Sequence, residues 1–103
     1  MGGIAVLGER IRYLRELRQL KQEQFAERVG VTKQTVSNWE NGNMMPSVDA
    51  FLRITEFFHT TPNYLLGYDD RIYIDTTDLY ENEISHLMLI VDDLKAHHNN
   101  EKK

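Results

Sequence analysis

The chain contains no cysteine. That absence excludes a disulfide framework, a thiolate metal site and a cysteine nucleophile together, and it fits a reducing cytoplasm. Near the start the only apolar run is the four residues from Ile4 to Leu7, with no basic stretch before it. Neither a secretory signal nor a membrane span is expected there, and Val6 stands where N-myristoylation of Gly2 would need serine or threonine. There is no glycine-rich phosphate loop and no serine nucleophile elbow. The carboxylates at 69, 70, 75 and 78 lack the glycine and terminal glutamate of a calcium loop. Of the four histidines, His97 and His98 are adjacent, so on a helix they point in different directions, and no carboxylate cluster completes a metal site. No enzyme activity, metal or cofactor is therefore expected. Internal repeats and low-complexity segments are absent too.

What is present concentrates in residues 21 to 46, KQEQFAERVGVTKQTVSNWENGNMMP. Two short helical patterns break at Gly30-Val31, and the second is strongly sided. At about 100° per residue, Lys33, Gln34, Ser37, Asn38 and Asn41 fill a continuous arc of roughly 140°. Thr35, Val36, Trp39 and Glu40 fill the opposite one. A polar outer arc alone is no more than a solvated helix face. This one carries long amides, a hydroxyl and an ammonium, groups that reach donors and acceptors on base edges in a major groove.

The flanking sequence reads as further helices. A first covers about 8 to 19, with Ile11, Leu14 and Leu17 at helical spacing. A second covers 22 to 29, presenting Phe25, Ala26 and Val29, with Gly30 placed to end it and Thr32 to cap the third, about 33 to 41. Gly42 closes that helix. Ser47 caps a fourth, whose expected core stripe is Val48, Phe51, Leu52, Thr55 and Phe58. Thr61-Pro62 opens a short fifth with Tyr64, Leu65 and Leu66. The expected organisation is a domain over 1–67, a linker over 68–78 with an extended stretch around Ile72 and Ile74, and a C-terminal helix with a frayed end over 79–103. Asp78 and Glu81 are spaced as a capping box for that last helix.

Length and composition allow one small domain with an appendage: 103 residues, 41% hydrophobic, one Trp, four Phe and five Tyr. The net charge of −4 is unevenly spread. Residues 1–66 hold eight Lys or Arg against seven Asp or Glu, a balance of +1, whereas residues 67–103 hold four against nine, a balance of −5. The acidic tail should face away from phosphate. The weakly basic front half would have to gain nucleic-acid affinity from placed hydrogen bonds and from two copies acting together.

The ordered set Gln22, Phe25-Ala26, Gly30-Val31-Thr32, Val36-Ser37, Trp39-Glu40-Asn41-Gly42, Pro46 and Tyr64-Leu65-Leu66-Gly67 resembles the XRE family of bacterial and phage regulators. This is the Cro and phage-repressor type of helix-turn-helix, and the resemblance covers residues 8 to 67. It implies an all-α, five-helix, lambda-repressor-like DNA-binding domain in which the third helix enters the major groove and the second lies across the backbone. By that mapping Lys33, Gln34 and Asn38 read bases, with Ser37 next. Gln22 and Asn41 bind phosphates, assisted by Thr32, Asn43 or the backbone amides after Gly42. Arg15 and Glu40 fall where the family often keeps a structural ion pair between helices 1 and 3. The sequence departs from the pattern at Lys21, where Ser or Thr usually caps helix 2, at His59, which replaces a glycine, and at Phe57. An aromatic ring at the last position suggests that the acidic tail packs over it.

In the tail, Tyr80, Ile84, Leu87, Val91, Leu94 and His98 alternate spacings of four and three. β-Branched residues take one seam position and leucine the other, as two-stranded parallel coils prefer. Ile84, Leu87, Met88, Val91 and Leu94 are the candidate dimerisation residues, the alternative being a helix folded back on its own domain. Leu89 and Ile90 fall outside a single seam. The resulting expectation is a cytoplasmic transcriptional regulator, a repressor by preference, that binds a pseudo-palindromic double-stranded operator as a homodimer, without membrane association. No motif names an effector. An antitoxin or restriction-modification controller of the same fold is the near alternative. A protein-binding adaptor that has lost DNA binding is the distant one, and it would carry a blunted or acidic third helix.

Overall fold

Six helices make up the regular structure of residues 3–101, the part of the chain that the computed structural model describes, and no strand occurs among those residues. They are α1 (Ile4–Leu17), α2 (Gln22–Val29), α3 (Lys33–Glu40), α4 (Val48–Phe58), α5 (Pro62–Leu65) and α6 (Glu81–Glu101). Helix α1 begins four residues before the expected start at Gly8, because Leu7 extends the buried line of Ile11 and Leu14 by one more turn.

Short-range chemistry sets the joints. After α2, Gly30 takes a left-handed conformation (φ 74°) and the Val31 N–H donates to the Ala26 carbonyl at 3.0 Å. The Thr32 hydroxyl then accepts the Thr35 N–H at 3.1 Å, which starts α3. Ser47 does the same for α4 through the Ala50 N–H, and Thr61 for α5 through the Tyr64 N–H. His59, where a glycine was expected, sits at φ 51° as the left-handed cap of α4.

The core gathers Leu7, Ile11 and Leu14 of α1, Phe25, Ala26 and Val29 of α2, Val36 and Trp39 of α3, Ala50, Ile54 and Phe58 of α4, and Tyr64 and Leu65 of α5. The α4 contribution corrects the expected stripe. Phe58 is buried as expected and Phe51 packs against the core, but Val48 is 77% and Leu52 54% exposed, and Ala50 and Ile54 take the inward positions. Both lines carry apolar groups at helical spacing. Phe57 is covered from within the domain, by rings of Phe25 and Phe58 at 5.6 and 5.1 Å and by the Arg18 guanidinium, rather than by the tail.

The linker is tied down at two points. Arg10 lies over the Tyr64 ring, donates to the carbonyls of Tyr64 and Asp69, and meets Asp70 at 2.6 Å. Further along, His59 Nδ1 stands 3.4 Å from Asp75. No strand forms around Ile72 and Ile74. Helix α6 starts two residues later than the Asp78–Glu81 spacing suggests: Glu83 Oε1 accepts the Tyr80 N–H at 2.9 Å, so the reciprocal cap uses residues 80 and 83. The helix continues through residues 97–101, where fraying was expected, and residues 102 and 103 lie outside the described part. Apart from half-buried Ile84 and Leu87, its side chains between 81 and 100 are exposed, and none of α1–α5 packs closely against it.

Candidate nucleic-acid interface

Helix α3 is held by its inner face. Val36, Trp39 and Glu40 are buried, with Glu40 only 4% exposed. A carboxylate in that position requires partners, and α1 and α2 supply them. Arg15 donates from Nε to Glu40 Oε2 at 2.7 Å and from Nη2 to Oε1 at 3.0 Å; Arg12 Nε reaches Oε1 at 3.3 Å and Gln22 Nε2 reaches it at 3.1 Å. Arg15 also donates to the Leu20 carbonyl at 2.6 Å, anchoring the α1–α2 turn to the same cluster. Burial by itself would raise the Glu40 pKa, but the hydrogen bonds from Arg15 and Gln22 and the Arg15 charge more than offset it, leaving the carboxyl below its ordinary value. The same hydrogen bond raises Arg15 against a smaller desolvation effect.

A second lock lies one turn away. A Cβ added to Gly8 would come within 2.3 Å of the Trp39 carbonyl oxygen and 2.9 Å of that of Glu40. Helix α1 therefore crosses the end of α3 at a distance only glycine permits. Neither Arg12 nor Gly8 belonged to the expected site. The available signal for Arg12 was its spacing of three from Arg15, which puts both guanidinium groups on one face of α1.

With the inner face fixed, the outer face of α3 is directed away from the domain. Lys33, Gln34 and Asn41 are exposed, and Ser37 and Asn38 are half-exposed. The amides are aligned by mutual hydrogen bonds, Gln34 Nε2 to Asn38 Oδ1 at 3.2 Å and Asn41 Nδ2 to Ser37 Oγ at 3.3 Å. Arg12 Nη2 donates to Asn41 Oδ1 at 3.1 Å, so this side chain is gripped from α1. Lys33 stands 4.0 Å from Glu23, an exposed contact of little energetic weight.

The groups expected at phosphates are placed less uniformly. Gln22 uses one amide hydrogen on Glu40 and keeps a second. It opens α2, whose first turn has no side-chain cap from Lys21; Gln24 Oε1 instead accepts the Lys21 N–H at 2.8 Å. The amides after Gly42 are already engaged, those of Asn43 and Met44 both donating to the Asn38 carbonyl, at 2.9 and 3.3 Å. Thr32 shares its hydroxyl with Thr35 at 2.8 Å. Among the described residues, no group of three or more His, Asp or Glu is arranged to hold a metal ion, and no helix is long and apolar enough to cross a membrane.

Comparison with known proteins places this geometry. A helix-turn-helix family model matches residues 11–65. The transcriptional activator BcrR of Enterococcus faecalis is 32% identical over 74 residues, which is 72% of this chain and 36% of BcrR, so the chain spans only about a third of that relative's length. The P22 c2 repressor, solved in complex with a synthetic operator, superposes with a TM-score of 0.58 at 32% identity over 61% of this chain and 96% of its own. The restriction-modification controller C.AhdI of Aeromonas hydrophila gives 0.56 at 27% identity, over 60% and 94%. A model matching more than half of the residues, on a fold shared with a phage repressor domain, means that this chain belongs to the helix-turn-helix family of XRE, Cro and phage-repressor-type regulators.

Proposed function

We propose that the chain is a sequence-specific, double-stranded-DNA-binding transcriptional regulator of the cytoplasm that docks α3 in the major groove and acts, without chemistry, by occupying promoter DNA. The observation that carries this reading is the two-sidedness of α3: Glu40 and Trp39 fix it from behind, while Lys33, Gln34, Ser37 and Asn38 are presented together in front. Lys33, Gln34 and Asn38 are the base readers in this reading. Gln22 and Asn41, with the side chains of Thr32 and Asn43, contact the phosphate backbone on either side. Repression is the preferred mode, and the operator-bound P22 c2 repressor supports it.

A regulator with a domain balance of only +1 needs more than one copy on DNA, and α6, standing clear of the domain with its apolar residues exposed, supplies the means of homodimerisation. The same interface would serve a restriction-modification controller, a reading that the likeness to C.AhdI favours. A neighbouring nuclease gene would decide for it. An adaptor role is disfavoured by the polar outer face of α3 with Lys33 at its start.

The test is specificity. Gln34→Ala and Asn38→Ala should each cost about 1–3 kcal/mol on the preferred site and relax discrimination at one or two base pairs. Binding preferences unchanged from the wild type, measured over single-base variants of that site, would contradict the assignment.

A further inference from the structure

We propose that α6 pairs with α6 of a second copy in the antiparallel direction, about a twofold axis at the level of Leu89. This rests on the homodimer reading above and fixes its geometry. The spacing of the apolar line is symmetric about that level. An antiparallel partner brings Tyr80 opposite His98, Ile84 opposite Leu94 and Leu87 opposite Val91, so each layer joins one seam position to the other.

The charges flanking the seam decide the direction. Residues beside an antiparallel seam face their own kind of position, which sets Glu81 against Lys95 on one side and Glu83 against His97 on the other, twice each by symmetry. Glu81 and Lys95 are both exposed, and Glu83 keeps an oxygen beyond the one that caps Tyr80. Between these polar ends, Met88 and Ile90 meet their own copies, and both are exposed in the single chain. Ile90, left over by a single narrow seam, thereby gains a partner. A parallel pair would instead set Glu83 beside Met88 and Ile90 beside Lys95, and would bring the acidic first turns together. It would also align the helix dipoles, which the antiparallel arrangement opposes.

The linker leaves room for this partner. Ile74 flanks Ile84 and Leu87 along an apolar groove of about 330 Å³ that opens outward, at the level where Leu94 of the second copy falls. Because each domain joins α6 at its N-terminus, antiparallel pairing separates the two junctions by 16 residues of helix, about 24 Å. A parallel pair would hold them about 10 Å apart. The wider spacing suits two domains set side by side on successive turns of a duplex.

A chain without cysteine makes the test direct. Full-length Ile84→Cys and Leu94→Cys proteins are mixed, oxidised mildly and compared with each alone and with Tyr80→Cys, while sedimentation of the wild type at micromolar concentration reports the oligomeric state. Antiparallel pairing predicts a wild-type dimer, a predominant disulfide between the two different variants, and little from any variant alone. A dimer in which Tyr80→Cys links to itself, or in which neither set links, would overturn the antiparallel pair and leave the homodimer standing. A wild-type monomer would overturn the homodimer as well.

Discussion

Four hydrogen bonds from three side chains on two helices converge on the buried carboxylate of Glu40, and this residue ties α3 to the rest of the domain. Arg15→Ala would leave Glu40 with only the longer bonds from Arg12 and Gln22, so it should destabilise in denaturant unfolding, by less than the about 3–5 kcal/mol of a fully stranded buried charge. A double-mutant cycle with Glu40→Gln should return strong coupling, and additive losses would contradict the network. The folded Glu40 carboxyl lies below its ordinary value of 4.5, so its contribution is complete above about pH 4.5 and is lost as the pH falls through the folded pKa. Unfolding curves of the wild type and Glu40→Gln should therefore converge in acid. Gly8→Ala should cost about 1–3 kcal/mol, since the Trp39 carbonyl that the new methyl meets belongs to the backbone and cannot swing aside; an unchanged unfolding midpoint would refute the close crossing. Of this cluster, Arg15 and Glu40 were readable through the family pattern. Arg12 and Gly8 were not, because their roles depend on where α1 crosses a helix about thirty residues further along the chain.

The helices that were readable in advance are those whose ends carry local chemistry. Gly30, Thr32, Ser47 and Thr61-Pro62 act within three residues of themselves, and the bounds of α2, α3 and α4 follow from them. The inward face of α4 was not readable in that way, since two apolar lines compete on one helix and packing selects Ala50, Ile54 and Phe58. The start of α6 shifted for a related reason: two carboxylates, Glu81 and Glu83, offered themselves as the reach-back partner, and the Tyr80 N–H took the second. At this scale α2 and α3 should separate cleanly in function. Gln22→Ala at the head of α2 should weaken binding to all sequences by a similar factor and lower stability by about 1 kcal/mol through the lost bond to Glu40. Competition binding over several unrelated sites checks this, and an altered base preference would place Gln22 among the readers instead.

For the molecule as a whole, charge is graded along the chain: a +1 balance over residues 1–66 with the polar face of α3 outward, −3 in the linker over 67–80, and −2 over residues 81–103. Because α6 is not part of the core, Ile84→Asp with Leu87→Asp should leave the domain folded by circular dichroism while giving a monomer in sedimentation. Operator affinity should fall by about 10² or more as the second contact stops being intramolecular. Loss of the folded domain in that variant would mean that α6 is structural after all. Joint reading of DNA sequence by two copies of α3 is tested by selecting bound duplexes from a random library with the full-length protein. Two copies acting together should enrich an inverted pair of half-sites with centres about 10 bp, or 34 Å, apart; a bound pool with no enriched sequence, or with single half-sites only, would contradict joint reading.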